Sequence, residues 1–111
     1  MNTLGRSRAL IVDDQPLVVI EIEDILMERG FEVISVSTRA HLEQALAAGP
    51  YAVIVTDTDL ATLEEIQTWE AGKVILCSGK PRASLEAEYP GLAIVEKPFM
   101  ASDLVALLPV S

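Results

Sequence analysis

Cysteine is almost missing from this chain: one residue, Cys77, is present. A lone cysteine cannot close an internal disulfide, and its use as a buried strand residue fits a reducing cytosol. Basic residues are scarce as well. Eight Lys and Arg stand against 17 Asp and Glu, for a formal net charge of −9. A nucleic-acid surface needs clustered Lys and Arg, so the balance argues against one and suits a soluble protein, or one that holds a cation. No apolar run approaches the ~18 residues of a membrane span. No signal peptide is legible either, because Met1 to Arg8 is polar and leads into one short strand-like run. Repeats, linkers and low-complexity segments are also lacking. The 111 residues therefore read as one cytoplasmic domain, with residues 1–7 as a flexible tail.

What is present is organised around Tyr51-Ala52-Val53-Ile54-Val55-Thr56-Asp57. A short β-branched run of this kind reads as a strand buried on both faces. The run ends in a carboxylate, so Asp57 lies at the carboxyl end of that strand. In open α/β sheets ligands bind at this edge, although a single aspartate there can equally cap the next turn.

The rest of the chain repeats the theme. Arg8 to Val12 is a first strand and ends in Asp13-Asp14. Pro16 suits the first turn of a helix that runs to about Arg29, with Gly30 as its stop. Phe31 to Val36 is a second strand, and Ser37 or Thr38 caps a helix that closes at Gly49-Pro50. Thr62 to Glu65 has capping-box spacing, so a third helix is expected from there to Gly72. Lys73 to Cys77 is the fourth strand. A fourth helix begins at Pro81 and cannot pass Pro90. Leu92 to Val95 is the fifth strand, and Ala101 to Leu108 the fifth helix. Alternating strands and helices predict a doubly wound, flavodoxin-like α/β fold. Its five parallel strands take the order 2-1-3-4-5, with helices on both faces. That order sets Asp13, Asp14 and Asp57 side by side, with Ser78 and Lys97 at the same edge.

Three adjacent carboxylates repel one another unless a counter-charge intervenes. Mg²⁺, which favours oxygen ligands and phosphate partners, is the natural one. Lys97 and Ser78 would complete a shell for a phosphoryl group, and Asp57 would be its nucleophilic acceptor. Each residue has a plainer reading by itself: Asp13-Asp14 as a helix start, Ser78 as a helix cap, Lys97 as a solvated lysine. Their joint placement at strand ends favours the chemical one.

In these motifs the chain resembles the receiver domains of two-component response regulators. The matching residues are Leu10-Ile11-Val12-Asp13-Asp14, Asp57, Ser78-Gly79 and Lys97-Pro98-Phe99. The resemblance implies a phosphoprotein that takes a phosphoryl group onto Asp57 from a histidine kinase or a phosphotransfer protein. It implies direct Mg²⁺ ligation by Asp14 and Asp57, ligation by Asp13 directly or through water, and a further ligand in the backbone carbonyl of Asp59. Self-phosphorylation and self-dephosphorylation would be its only catalysis. It also implies a cis Lys97–Pro98 peptide. With no output domain expected after Ser111, the roles open are a stand-alone regulator, a relay shuttle or a phosphate sink.

Several features depart from that family. The loop after Asp57 reads Thr58-Asp59-Leu60-Ala61-Thr62 and lacks the usual Met-Pro pair and glycine. Only 20 residues separate Asp57 from Ser78, and the third and fourth helices are short. Ile94 stands where many receivers place Tyr or Phe. Two other functions compete with the receiver reading. Asp57-Thr58-Asp59 resembles the paired aspartates of haloacid-dehalogenase-like phosphohydrolases, and a degenerate interaction module needs no phosphorylation at all. On the first helix, Val18, Ile22 and Ile25 should face the sheet. Pro16, Ile20, Glu23 and Met27 should face outward with Val19 at the border, as a docking surface for the kinase or phosphotransfer partner. Scattered exposed apolar residues are the ordinary alternative.

Overall fold

A computed structural model describes residues 7–109 of the chain. Five strands and five helices alternate along it: β1 (Arg8–Val12), α1 (Pro16–Glu28), β2 (Glu32–Val36), α2 (Arg39–Ala47), β3 (Tyr51–Thr56), α3 (Leu63–Ile66), β4 (Ala71–Ser78), α4 (Arg82–Glu88), β5 (Ala93–Glu96) and α5 (Ala101–Val105). The strands form one parallel sheet in the order β2-β1-β3-β4-β5, the doubly wound order expected from the sequence.

Strand alternation divides the core in two. Leu10, Val12, Ile54, Leu76 and Ile94 point to one face, where Leu42 of α2, Ile66 of α3 and Leu85 of α4 cover them. Ala9, Ile11, Val53, Val55, Ile75 and Cys77 point to the other, under Ile22, Ile25 and Leu26 of α1 and Leu104 of α5. Both faces are buried, which is why these strands are continuous apolar runs instead of alternating ones. Cys77 is buried, as expected, and burial pushes its thiol up to about 12. His41 is exposed, and Trp69 is half-buried against the first core. Ile20 and Met27 of α1 are exposed, Val19 is half-buried against the second core, and Leu17 adds an exposed apolar residue at 82 %.

The structure corrects several boundaries. Residues 1–6 of the expected tail lie outside the described residues. Ser7, expected in that tail, accepts a hydrogen bond from the Glu32 amide at 2.9 Å and so extends the β1–β2 ladder. Helix α3 is a single turn and stops well short of Gly72. The Thr68 and Trp69 amides bond to carbonyls three residues back, the Thr68 hydroxyl adds a 2.6 Å bond to the Glu65 carbonyl, and β4 begins at Ala71. Gly72 is a strand residue, required because a Cβ there would lie 2.8 Å from the Ala52 carbonyl oxygen. Helix α5 ends at Val105, before the expected Leu108. The Leu107 and Leu108 amides bond to the carbonyls three residues back, a tighter turn imposed just ahead of Pro109. The Gly49–Pro50 peptide is cis, and so is Lys97–Pro98.

Candidate functional site

Among the described residues the buried polar side chains are Asp13, Thr56, Asp57 and Ser78. All four lie at the carboxyl edge of β1, β3 and β4. Burying a polar group costs free energy unless it is bonded, and these four meet that cost together at one edge. The register explains the convergence. Val12 pairs with Thr56 and Thr56 with Leu76, so β1, β3 and β4 reach the edge nearly level. Backbone bonds then anchor each residue that leaves it. The Asp57 amide donates to Val12 O at 2.8 Å, the Asp13 amide to Val36 O at 3.1 Å, and the Lys97 amide to Ser78 O at 2.8 Å.

Oxygens of Asp13, Asp14 and Asp57 all lie within 4.8 Å of one another. Asp13 and Asp57 are buried and Asp14 is exposed. Asp13 is fully engaged: Oδ2 pairs with Lys97 Nζ at 2.9 Å, and Oδ1 accepts from the Gln15 amide at 2.9 Å. Lys97 therefore reaches into the acids instead of lying in solvent. Gln15 Oε1 accepts a second bond from its ammonium at 3.0 Å. On Asp57, Oδ1 accepts from the amides of Asp59 at 3.1 Å and Leu60 at 3.2 Å. Burial raises the Asp57 pKa above its ordinary value; the Asp59 amide opposes that rise and the Asp13 charge adds to it. Lys97 offsets only part of the negative charge of the acid trio, whose hard oxygen donors suit Mg²⁺.

A cavity of about 520 Å³ opens over Asp57. Thr58, Ser78, Lys80 and Lys97 line it, with Glu21 of α1 opposite. Ser78 Oγ is 3.5 Å from Thr58 Oγ1 and accepts from the Lys80 amide at 3.2 Å. Asp13, Asp14, Asp57, Ser78 and Lys97 therefore meet as the sequence suggests. Asp59 lines the cavity, but its carboxylate is exposed and stands outside the acid trio. Gln15 and Thr58 were not read from the sequence. The available signal was adjacency alone, Gln15 two residues past Asp13 and Thr58 next to Asp57.

No protein-family model and no curated protein sequence matches the chain. Solved structures do. A response regulator receiver domain from Methylobacillus flagellatus superposes with a TM-score of 0.75 at 20% identity, over 93% of this chain and 96% of that one. The receiver domain of a sensor histidine kinase from Pseudomonas aeruginosa PAO1, with a magnesium ion coordinated in its active-site cleft, gives 0.75 at 21% identity, over 93% and 94%. A response regulator receiver protein from Sinorhizobium medicae gives 0.75 at 22% identity, over 94% and 92%. The chain shares their fold almost end to end.

Proposed function

From the receiver-domain fold, we propose that this protein is a phosphoacceptor in two-component signalling, with Asp57 as the acceptor. One observation carries the proposal: two buried carboxylates, an exposed third, a buried hydroxyl and a half-buried lysine share one sheet edge, where Asp57, Ser78 and Lys97 line an open cavity. Ionisable groups clustered at a cleft, one of them with a raised pKa, are a mark of functional sites. An Asp57 oxygen attacks the phosphorus of a phosphohistidine, a P–O bond forms, the P–N bond breaks, and the imidazole keeps the electron pair and takes up a proton. Lys97 neutralises one phosphoryl oxygen, and Ser78 donates a hydrogen bond to another. Asp13, Asp14 and Asp57 would hold Mg²⁺, with the Asp59 carbonyl as a further ligand. When bound, the ion supplies charge neutralisation for the incoming phosphoryl oxygens.

The phosphoryl donor is a histidine kinase or a phosphotransfer protein in the cytoplasm. It docks on α1 through Ile20 and Met27, with Val19 behind them, beside the cavity that Val18 and Glu21 border. The protein then works as a shuttle, sink or stand-alone regulator. The test is labelling with acetyl phosphate or a phosphorylated kinase. Label should appear on Asp57 in the presence of Mg²⁺ and vanish with a chelator. Label retained by Asp57→Ala would show that another residue is the acceptor.

A further inference from the structure

The loop of residues 58–62 is gripped from outside by a residue that does not line the cavity. Arg39, the first residue of α2, sends Nη1 to the Leu60 carbonyl at 2.8 Å and to Glu65 Oε1 at 2.8 Å, while Nη2 meets Glu65 Oε2. Glu65 Oε1 in turn accepts from the Thr62 amide at 3.0 Å, and Thr62 Oγ1 accepts from the Glu65 amide at 3.3 Å. One guanidinium therefore fixes both the middle of the loop and the cap of α3. Leu60 is the hinge of this arrangement: its carbonyl is held by Arg39, and its amide donates to Asp57 Oδ1. The chain of contacts runs from α2 through one peptide residue to the acceptor carboxylate. Two amides occupy Oδ1, and among the described residues none donates to Oδ2.

We propose that Arg39 is a positioning residue for Asp57, acting through Leu60 to hold the carboxylate with one oxygen bonded and the other turned free for phosphoryl transfer. The inference rests on the phosphoacceptor reading above. The loop has no proline between Asp57 and Leu63, so no residue in it has a fixed φ. Exposed ion pairs add little to stability. What a bidentate Arg–carboxylate fork adds is direction, which a lysine cannot reproduce. Arg39 does not line the cavity over Asp57, so its effect falls on geometry and not on donor binding.

The test compares wild type with Arg39→Ala, Arg39→Lys and Arg8→Ala by labelling with acetyl phosphate in saturating Mg²⁺. Arg8 is a matched control at the opposite edge of the sheet, where it bonds the Ala48 carbonyl and pairs with Glu32. Loss of Arg39 should lower the maximal labelling rate about 10-fold with the half-saturating acetyl phosphate unchanged, since misplaced reacting atoms cost rate rather than binding. Arg39→Lys should recover little, and Arg8→Ala should label like wild type. In the unlabelled, metal-free proteins, the Asp59 and Leu60 amide signals should shift and exchange faster in both Arg39 variants and not in Arg8→Ala. A rate within twofold of wild type for Arg39→Ala, or an equal loss in Arg8→Ala, overturns the inference. If wild type takes no label, the phosphoacceptor reading fails, and the amide signals still decide the clamp: unchanged Leu60 and Asp59 signals in Arg39→Ala refute it.

Discussion

Replacing Asp57 by asparagine should stabilise the metal-free protein and destabilise the Mg²⁺-loaded one relative to wild type. The acid oxygens lie within 4.8 Å of one another. At that spacing two charges repel by about 3.5 kcal/mol at an effective dielectric near 20, and by about 1 kcal/mol in water. Lys97 already offsets the charge of Asp13, and an amide oxygen accepts more weakly than a carboxylate from the Asp59 and Leu60 amides. A net gain of about 1–2 kcal/mol remains for Asp57→Asn without metal. For a chain of 111 residues each kcal/mol moves Tm by about 4 °C, so the variant should melt roughly 4–9 °C higher. Mg²⁺ at 100 times its Kd adds about 2.7 kcal/mol to wild type, or roughly 11 °C, and should add far less to a variant that lacks one ligand. The order of the two melting temperatures then inverts. The gap without metal also has a defined pH dependence. The Asp57 pKa is raised in the fold above its ordinary 3.8. The stability that wild type draws from the protonated acid is full below about pH 4 and is lost as pH rises through the folded value. Asparagine has no such loss, so the gap should be absent in acid and open toward neutral pH. Thermal melts with chelator and with Mg²⁺, across that pH range, measure all three effects. Equal Mg²⁺ shifts in both proteins would refute Asp57 as a ligand. A metal-free variant less stable than wild type would refute the repulsion argument.

Three further outcomes are expected. Lys97→Met should cost about 3 kcal/mol in chelator melts, because it strands the buried Asp13 carboxylate, and less in Mg²⁺. Ile20→Asp should slow phosphotransfer from the kinase or phosphotransfer protein, leaving labelling by acetyl phosphate unchanged; an equal loss with both donors would mean damage to the fold. A beryllofluoride adduct on Asp57 should move amide signals at the strand ends and in the loop of residues 58–62, with little change through β5 and α5. Large shifts along β5 would overturn that expectation.

Parts of this molecule were legible in the sequence because one physical constraint acted alone. A parallel strand buried on both faces must be a continuous apolar run, so β1, β3 and β4 announced themselves. The polar residue ending each run had to emerge at the sheet edge, which is how Asp13, Asp57 and Ser78 were found. Elsewhere two constraints competed. The capping box at Thr62 and Glu65 started α3 as expected, but the Thr68 hydroxyl and the early pairing of β4 stopped it after one turn. Gly72 read as a helix stop, whereas the close approach of the Ala52 carbonyl decides it. Least legible was Arg39, whose partner Glu65 is 26 residues away, a pairing no local motif signals. The far face shows the same contrast. Ile94 is nearly buried among Leu85 and Tyr89, and an aliphatic side chain has no polar tip to hold an outward state. With α4 only seven residues long, two arrangements of this face would differ little, and a phosphoryl group can shift only as much equilibrium as that difference provides. The loop gripped by Arg39 touches Asp57 directly, so a phosphoryl group on Asp57 would be expected to move that loop before the far face.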